Sequence, residues 1–182
     1  VVEIVGVVML PTYVLTRQML NGSLKIYLQL CNQTRSGGQC DGMLGLQELL
    51  CICGAIAEAC EFLHSKCIVH RAVMDANFLI GSDFRVCRLA GFQTVQPASI
   101  SHEVQCEKRG AESHFRQCEM APDRYFQWHS PEVLSLNRFS QQSDTWACGV
   151  TMSEVFAHGR QPFVQYSKQQ LKEAIESDHR LE

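Results

Sequence analysis

The sequence predicts an α+β domain, mainly α-helical, and three observations carry that expectation. From Leu46 to Leu63, apolar residues recur every three or four positions for about five helical turns. β-Branched runs are short, at Val1–Val8, Thr12–Thr16, Phe78–Ile80 and Arg85–Leu89. Two more helical segments, Asp144–His158 and Ser167–Ser177, follow in the last third of the chain.

The elements can be justified in order. Val1–Val8 and Thr12–Thr16 flank a turn containing Pro11, so they read as a hairpin. Asn21-Gly-Ser-Leu starts a helix, with Asn21 or Ser23 as cap and Leu24, Tyr27 and Leu28 on one face. Cys31–Gly45 is polar and glycine-rich and reads as a loop. In the long helix, the apolar face is Leu46, Leu49, Leu50, Cys53, Ile56, Ala57, Cys60 and Leu63. Gly81-Ser-Asp splits Phe78–Ile80 from Arg85–Leu89, a second hairpin signal. Gln93–Arg124 is polar and without period, the pattern of a functional loop. Asp144–His158 is apolar enough to be buried, whereas Ser167–Ser177 reads as an amphipathic surface helix.

Bulk chemistry narrows the function classes. With 46% apolar and 19% charged residues over 182, the chain suits one globular domain with a sizeable core. A net charge of −3 with scattered basic residues gives no electrostatic case for nucleic acid or an anionic membrane. Ile4–Leu15 and Leu49–Ala57 are too short to span a bilayer, and no signal peptide opens the sequence. The ten cysteines include no C-x-x-C pair, and Cys53 and Cys60 lie on the apolar helical stripe. Reduced thiols in an intracellular protein are therefore expected, and the sequons at Asn21 and Asn32 are taken as chance matches.

Four stretches, in order, resemble the protein kinases, and within them the receptor-tyrosine-kinase branch. They are YVLTRQMLNGSLKIYL (13–28), ACEFLHSKCIVHRAVMDANFLIG (59–81), QWHSPEVL (127–134) and FSQQSDTWACGVTMSEVFAHGRQPF (139–163). Trp128 ahead of Ser-Pro-Glu and the run from Phe139 to Val150 favour the tyrosine branch. The resemblance implies a protein-kinase-like fold: the last small-lobe strands (1–16), the hinge (17–21) and an incomplete large lobe (22–182). It also implies that the glycine-rich phosphate loop, the ion-pairing lysine and its helix glutamate precede Val1.

The same resemblance implies a degenerate catalytic apparatus. The catalytic loop H-R-D-x-x-x-x-N reads His70, Arg71, Ala72 and Asn77, so the proton-accepting aspartate is replaced by a methyl group. Asp75, three residues on, reads as a solvated loop residue. Ungapped counting from Asn77 puts the metal-binding D-F-G motif at Ala90, Gly91 and Phe92, and a one-residue slip puts it at Leu89, Ala90 and Gly91. No acidic residue lies between Asp83 and Glu103, so both registers lack the carboxylate. The substrate-positioning arginine is lost from Met74-Asp75-Ala76. Tyr125 is the first tyrosine after Gln93, so Arg71 has no activation-loop phosphotyrosine partner.

The framework positions are kept. His70 and Arg71 stand in the loop, Asp144 ties its helix to the loop backbone in the family, and Trp146 and Glu132 also match. Thr16 would be the gatekeeper, Arg17–Met19 (Gln18 and Met19 nearest the adenine) the hinge, and Leu79 the floor of a weak nucleotide site. The expectation is an inactive, tyrosine-kinase-like scaffold or allosteric protein-binding module. It would need no metal or cofactor, would bind ATP weakly without magnesium, and would partner an active kinase or adaptor. It is expected to be cytoplasmic, in the manner of a receptor's intracellular domain, with no nucleic-acid or membrane contact from this segment. The alternative is a weakly active protein tyrosine kinase that transfers the ATP γ-phosphate to protein tyrosine.

Overall fold

In a computed structural model, residues 1–33, 44–98 and 123–177 are described. Strand β1 (Ile4–Met9) pairs antiparallel with β2 (Thr12–Thr16), with a register irregularity between Ile4 and Gly6. The expected hairpin is present, shifted towards the turn. Its apolar side chains Ile4, Val5, Val7, Met9 and Val14 remain exposed.

Helix α1 (Leu24–Gln33) begins after Ser23, whose hydroxyl accepts from the Ile26 N–H. Leu24 and Leu28 are fully buried and Tyr27 half-buried, so the expected face is the buried one. The helix runs further than the expected loop boundary, through Cys31 to Gln33. Its interior apolar positions favour helix over the polar, glycine-rich composition beyond. The remainder of that loop, 34–43, lies outside the described residues.

Helix α2 (Leu46–Ser65) is the central element. Glu48 reaches back to accept from the Gly45 N–H, satisfying a donor that the first helical turn leaves open. The buried face comprises Leu49, Ile52, Cys53, Ile56, Ala59, Cys60 and Leu63. Leu46, Leu50 and Ala57, expected on that face, are exposed, because the stripe that meets the core is narrower than the apolar pattern.

After α2 come β3 (Ile68–Val69), β4 (Phe78–Ile80), β5 (Cys87–Leu89) and β6 (Gln96–Pro97). β4 and β5 form the second hairpin, with Phe78 opposite Leu89 and Ile80 opposite Cys87, all four buried, β4 against α1 and β5 against α2. β3 pairs antiparallel with β6, so the polar stretch from Gln93 is tied to the loop after α2 at its start. Its portion at 99–122 is outside the described residues, and Asp123–Trp128 forms 3-10 turns.

The remaining helices are α3 (Pro131–Leu136), α4 (Gln141–Phe156) and α5 (Lys168–Glu176). Ser140 and Ser143 cap α4 reciprocally, and Ser167 with Gln170 does the same for α5. α4 is buried along most of its length, and α5 buries only Leu171 and Ile175, as their patterns predict. Beyond α4 the backbone turns at Gly159 with φ +79°, where a Cβ would meet Leu28 Cβ at 2.8 Å. Only glycine fits that close approach of the turn to α1.

The core is thus α2 packed on α4 and on the β4–β5 hairpin. Replacing Ile56 by alanine should cost about 2–5 kcal/mol by denaturant unfolding, as cavity-forming changes do. Leu50→Ala, on the exposed side of the same helix, should change stability by no more than about 0.5 kcal/mol.

Candidate functional site

The loop between β3 and β4 carries the site, and α4 holds it in place. Asp144 is buried in the first turns of α4. Its Oδ2 accepts from the His70 N–H at 2.6 Å and its Oδ1 from the Arg71 N–H at 2.9 Å. Arg71 has φ +70°, a left-handed conformation that costs a non-glycine residue about 1–2 kcal/mol. The two charge-assisted hydrogen bonds offset that strain. Burial pushes the Asp144 pKa up, and the same two hydrogen bonds pull it back.

His70 bolts the loop to the segment after β5. Its Nε2 lies 2.9 Å from the Ala90 carbonyl, so Nε2 carries the proton, and its own carbonyl accepts from Thr94 Oγ1 at 2.9 Å. Burial lowers its pKa to about 4, which leaves it neutral at physiological pH. Phe92 meets the imidazole edge-on, with centroids 5.2 Å apart. The Arg71 guanidinium stacks on Phe139 at 4.4 Å from the ring centre.

The catalytic positions lie inside this frame. Ala72 is buried, and its carbonyl accepts from Asn77 Nδ2 at 2.7 Å. Asn77 in turn accepts through its backbone from the Ala90 N–H at 2.8 Å. Two residues that grip one metal ion must face each other, and the residue facing Asn77 is Gly91. A Cβ on Gly91 would sit 2.6 Å from Asn77 Oδ1. Ungapped counting assigned that place to Ala90. The pairing of Phe78 with Leu89 brings Gly91, one residue on from Ala90, beside Asn77 and Phe92 against His70.

Magnesium takes hard oxygen ligands, usually carboxylates beside the phosphates. Gly91 offers none, the amide of Asn77 is bonded to Ala72, and Asn77 Oδ1 fills the space a carboxylate would enter. These residues do not fit a magnesium–nucleotide complex. Gly91 also has φ +78°, so an aspartate there would be strained as well as crowded.

Asp75 is not the solvated loop residue that its position in sequence suggests. It is 1% exposed, in a 3-10 turn (Asp75–Asn77) packed against α1, and its carboxyl faces that of Glu154 on α4. Burial raises both pKa values, and for Glu154 the charge of Asp75 adds to the shift, up to about 9. The charge of Lys25 opposes the shift of both groups, and the Trp128 indole opposes that of Glu154. Glu154 escaped notice in the sequence. An acid between Met152 and Val155 in a helix expected to be buried was the available signal.

The other framework and nucleotide positions are dispersed. Glu132 lies partly exposed in the first turn of α3, where a carboxylate favours the helix dipole, and Trp146 is half-buried on α4. Thr16 closes β2 opposite Ile4, with Gln18 exposed and Met19 half-buried after it. Leu79 is half-buried on β4 and bridges to Ser23, which brings the floor of the expected adenine site to the end of the hinge.

A helix-dominated lobe with a carboxylate-clamped loop beneath a hinge and a strand pair defines a protein-kinase-like domain. A family profile described as protein tyrosine and serine/threonine kinase matches residues 1–182, and the chain belongs to that family. It is 31% identical over 153 residues to the megakaryocyte-associated tyrosine-protein kinase of Mus musculus, covering 84% of this chain and 26% of that protein. It is 28% identical over 171 residues to ephrin type-A receptor 4-A of Xenopus laevis, covering 94% and 15% respectively. Ephrin type-B receptor 3 of the same species is 29% identical over 173 residues, covering 94% and 16%. The chain therefore spans about a quarter or less of the length of these relatives.

The carboxyl pair sets a pH dependence. The raised Glu154 pKa means that the folded state binds more protons than the unfolded state between about pH 4.5 and 9, so stability falls as pH rises through that window. The lowered His70 pKa acts oppositely, but only between about pH 4 and 6.5. Urea unfolding from pH 7 to 9 should thus show declining stability in the parent, with a shallower decline in Glu154→Gln.

Proposed function

We propose that this chain is a kinase domain without phosphoryl-transfer activity that works as a protein-binding scaffold in tyrosine-kinase signalling. The observation that carries the reading is that Ala72 and Gly91 offer no carboxylate at the two catalytic positions, and that Asn77 Oδ1 occupies the space a side chain on Gly91 would need. A methyl group accepts no proton, and the nearby Asp75 is turned into the core towards Glu154. In active enzymes each such group contributes on the order of 10²–10⁴ in rate, not additively. From roughly 1–100 per second for active kinases, losing both leaves negligible turnover.

The scaffold reading is supported by what remains. The Asp144 clamp, the His70 bolt and the α2–α4 core are bonds and contacts of the chain's own residues. Helix α5 presents a polar, exposed face beyond Leu171 and Ile175, suited to an active tyrosine kinase or an adaptor. The seven described cysteines are all free, which supports a reducing, cytoplasmic setting. Nucleotide binding, in this reading, is weak and independent of metal. Retention of Asn77 and of the loop frame is what favours the rival reading, a weakly active tyrosine kinase.

Thermal denaturation of the full-length protein with ATP, with and without magnesium, separates the two. The scaffold reading expects no rise in Tm, or a small rise that magnesium does not change. A rise of several degrees that requires magnesium would overturn it.

A further inference from the structure

Arg71 is held at both ends by the start of α4. Its backbone N–H donates to Asp144 Oδ1 at 2.9 Å. Its guanidinium lies 4.4 Å from the ring centre of Phe139, two residues ahead of the helix. Only 9% of the residue is exposed. A guanidinium ordinarily presents its fork of N–H groups to a carboxylate or a phosphate. Here Nε and Nη1 are enclosed and meet no acceptor among the described residues, so the ring of Phe139 is the contact that holds the group. The attraction of a cation to an aromatic face strengthens as water is removed.

The ring itself is fixed. It meets the His129 imidazole edge-on, with centroids 5.8 Å apart. On one side of it, Asn137 closes α3 in a left-handed conformation, with φ +52°. On the other, the Ser140 N–H donates to Ser143 Oγ at 2.9 Å, and Ser140 Oγ accepts from the Ser143 N–H at 3.2 Å. Little space remains beside the guanidinium. The cavity whose lining includes Arg71, Ser130, Phe139 and Asp144 has a volume of about 10 Å³, room for one water and not for a phosphate group.

We propose that Phe139 is a positioning residue: its ring covers the face of Arg71 and fixes the loop between β3 and β4 without any anion. Asp144 secures the backbone of Arg71 and Phe139 secures its side chain, so the loop is set as the core folds. A phosphate group brought to this site finds the guanidinium already covered. None of these contacts involves Ala72 or Gly91, so the inference stands whether or not the site transfers a phosphoryl group.

The test is NMR of the full-length protein carrying isotope-labelled arginine, with the Arg71 Nε–H signal assigned by its loss in Arg71→Lys. In the parent, this proton should be displaced upfield by the ring and exchange slowly with solvent. It should show no saturable shift when inorganic phosphate replaces chloride at constant ionic strength. Phe139→Tyr, which keeps the ring, should match the parent. Phe139→Leu, which keeps an apolar side chain without the ring, should return the proton to its ordinary position. Its exchange should quicken by about tenfold or more, the order expected on losing a desolvated cation–ring contact. A saturable phosphate shift in the parent would overturn the proposal, as would a Phe139→Leu signal indistinguishable from the parent's. If Phe139→Leu does not fold, the parent's signal and its response to phosphate decide the matter alone.

Discussion

The carboxylate of Asp144 is the interaction on which the rest of the site depends. It joins the first turns of a buried helix to two consecutive backbone N–H groups of a loop that would otherwise be strained at Arg71. A hydrogen bond to a charged group contributes about 1.5–3 kcal/mol, so the two together exceed the roughly 1–2 kcal/mol of the left-handed residue. From this anchor the geometry propagates outward. His70 is placed to reach the Ala90 carbonyl, and the chain beyond Ala90 delivers Gly91 to Asn77 and Phe92 to the imidazole.

What the frame encloses has changed character. In an active kinase the space between loop and D-F-G segment is where carboxylates meet metal and phosphate. In this chain it is closed by an amide against a glycine, with the loop's own carbonyl taking the amide nitrogen. The acid of the loop lies inward, with Asp75 facing Glu154, where burial raises the pKa of both carboxyls.

Much of this was legible in the sequence where a physical period carried it. The spacing of Leu49, Ile52, Cys53, Ile56 and Cys60 could hardly be anything but a helix face, and α2 follows it. Its edges were misjudged at Leu46, Leu50 and Ala57 because an apolar residue can be tolerated outside the buried stripe. The absence of acidic residues between Asp83 and Glu103 needs only residue identities, so it does not depend on the register. The register itself depends on how many residues the turn between Ile80 and Cys87 absorbs, which strand pairing fixes and counting does not. The depth of Asp75 was invisible for another reason. Its burial comes from α1 and α4 closing over the loop, a tertiary fact without a local signature.

The central claim, that the frame is intact while the chemistry is gone, is tested most directly by phosphoryl transfer. Full-length protein would be incubated with γ-labelled ATP, magnesium and a tyrosine-containing peptide, beside an Asn77→Ala variant. The account predicts label incorporation indistinguishable from a protein-free control for both. Transfer above that control, lost in Asn77→Ala, would contradict it.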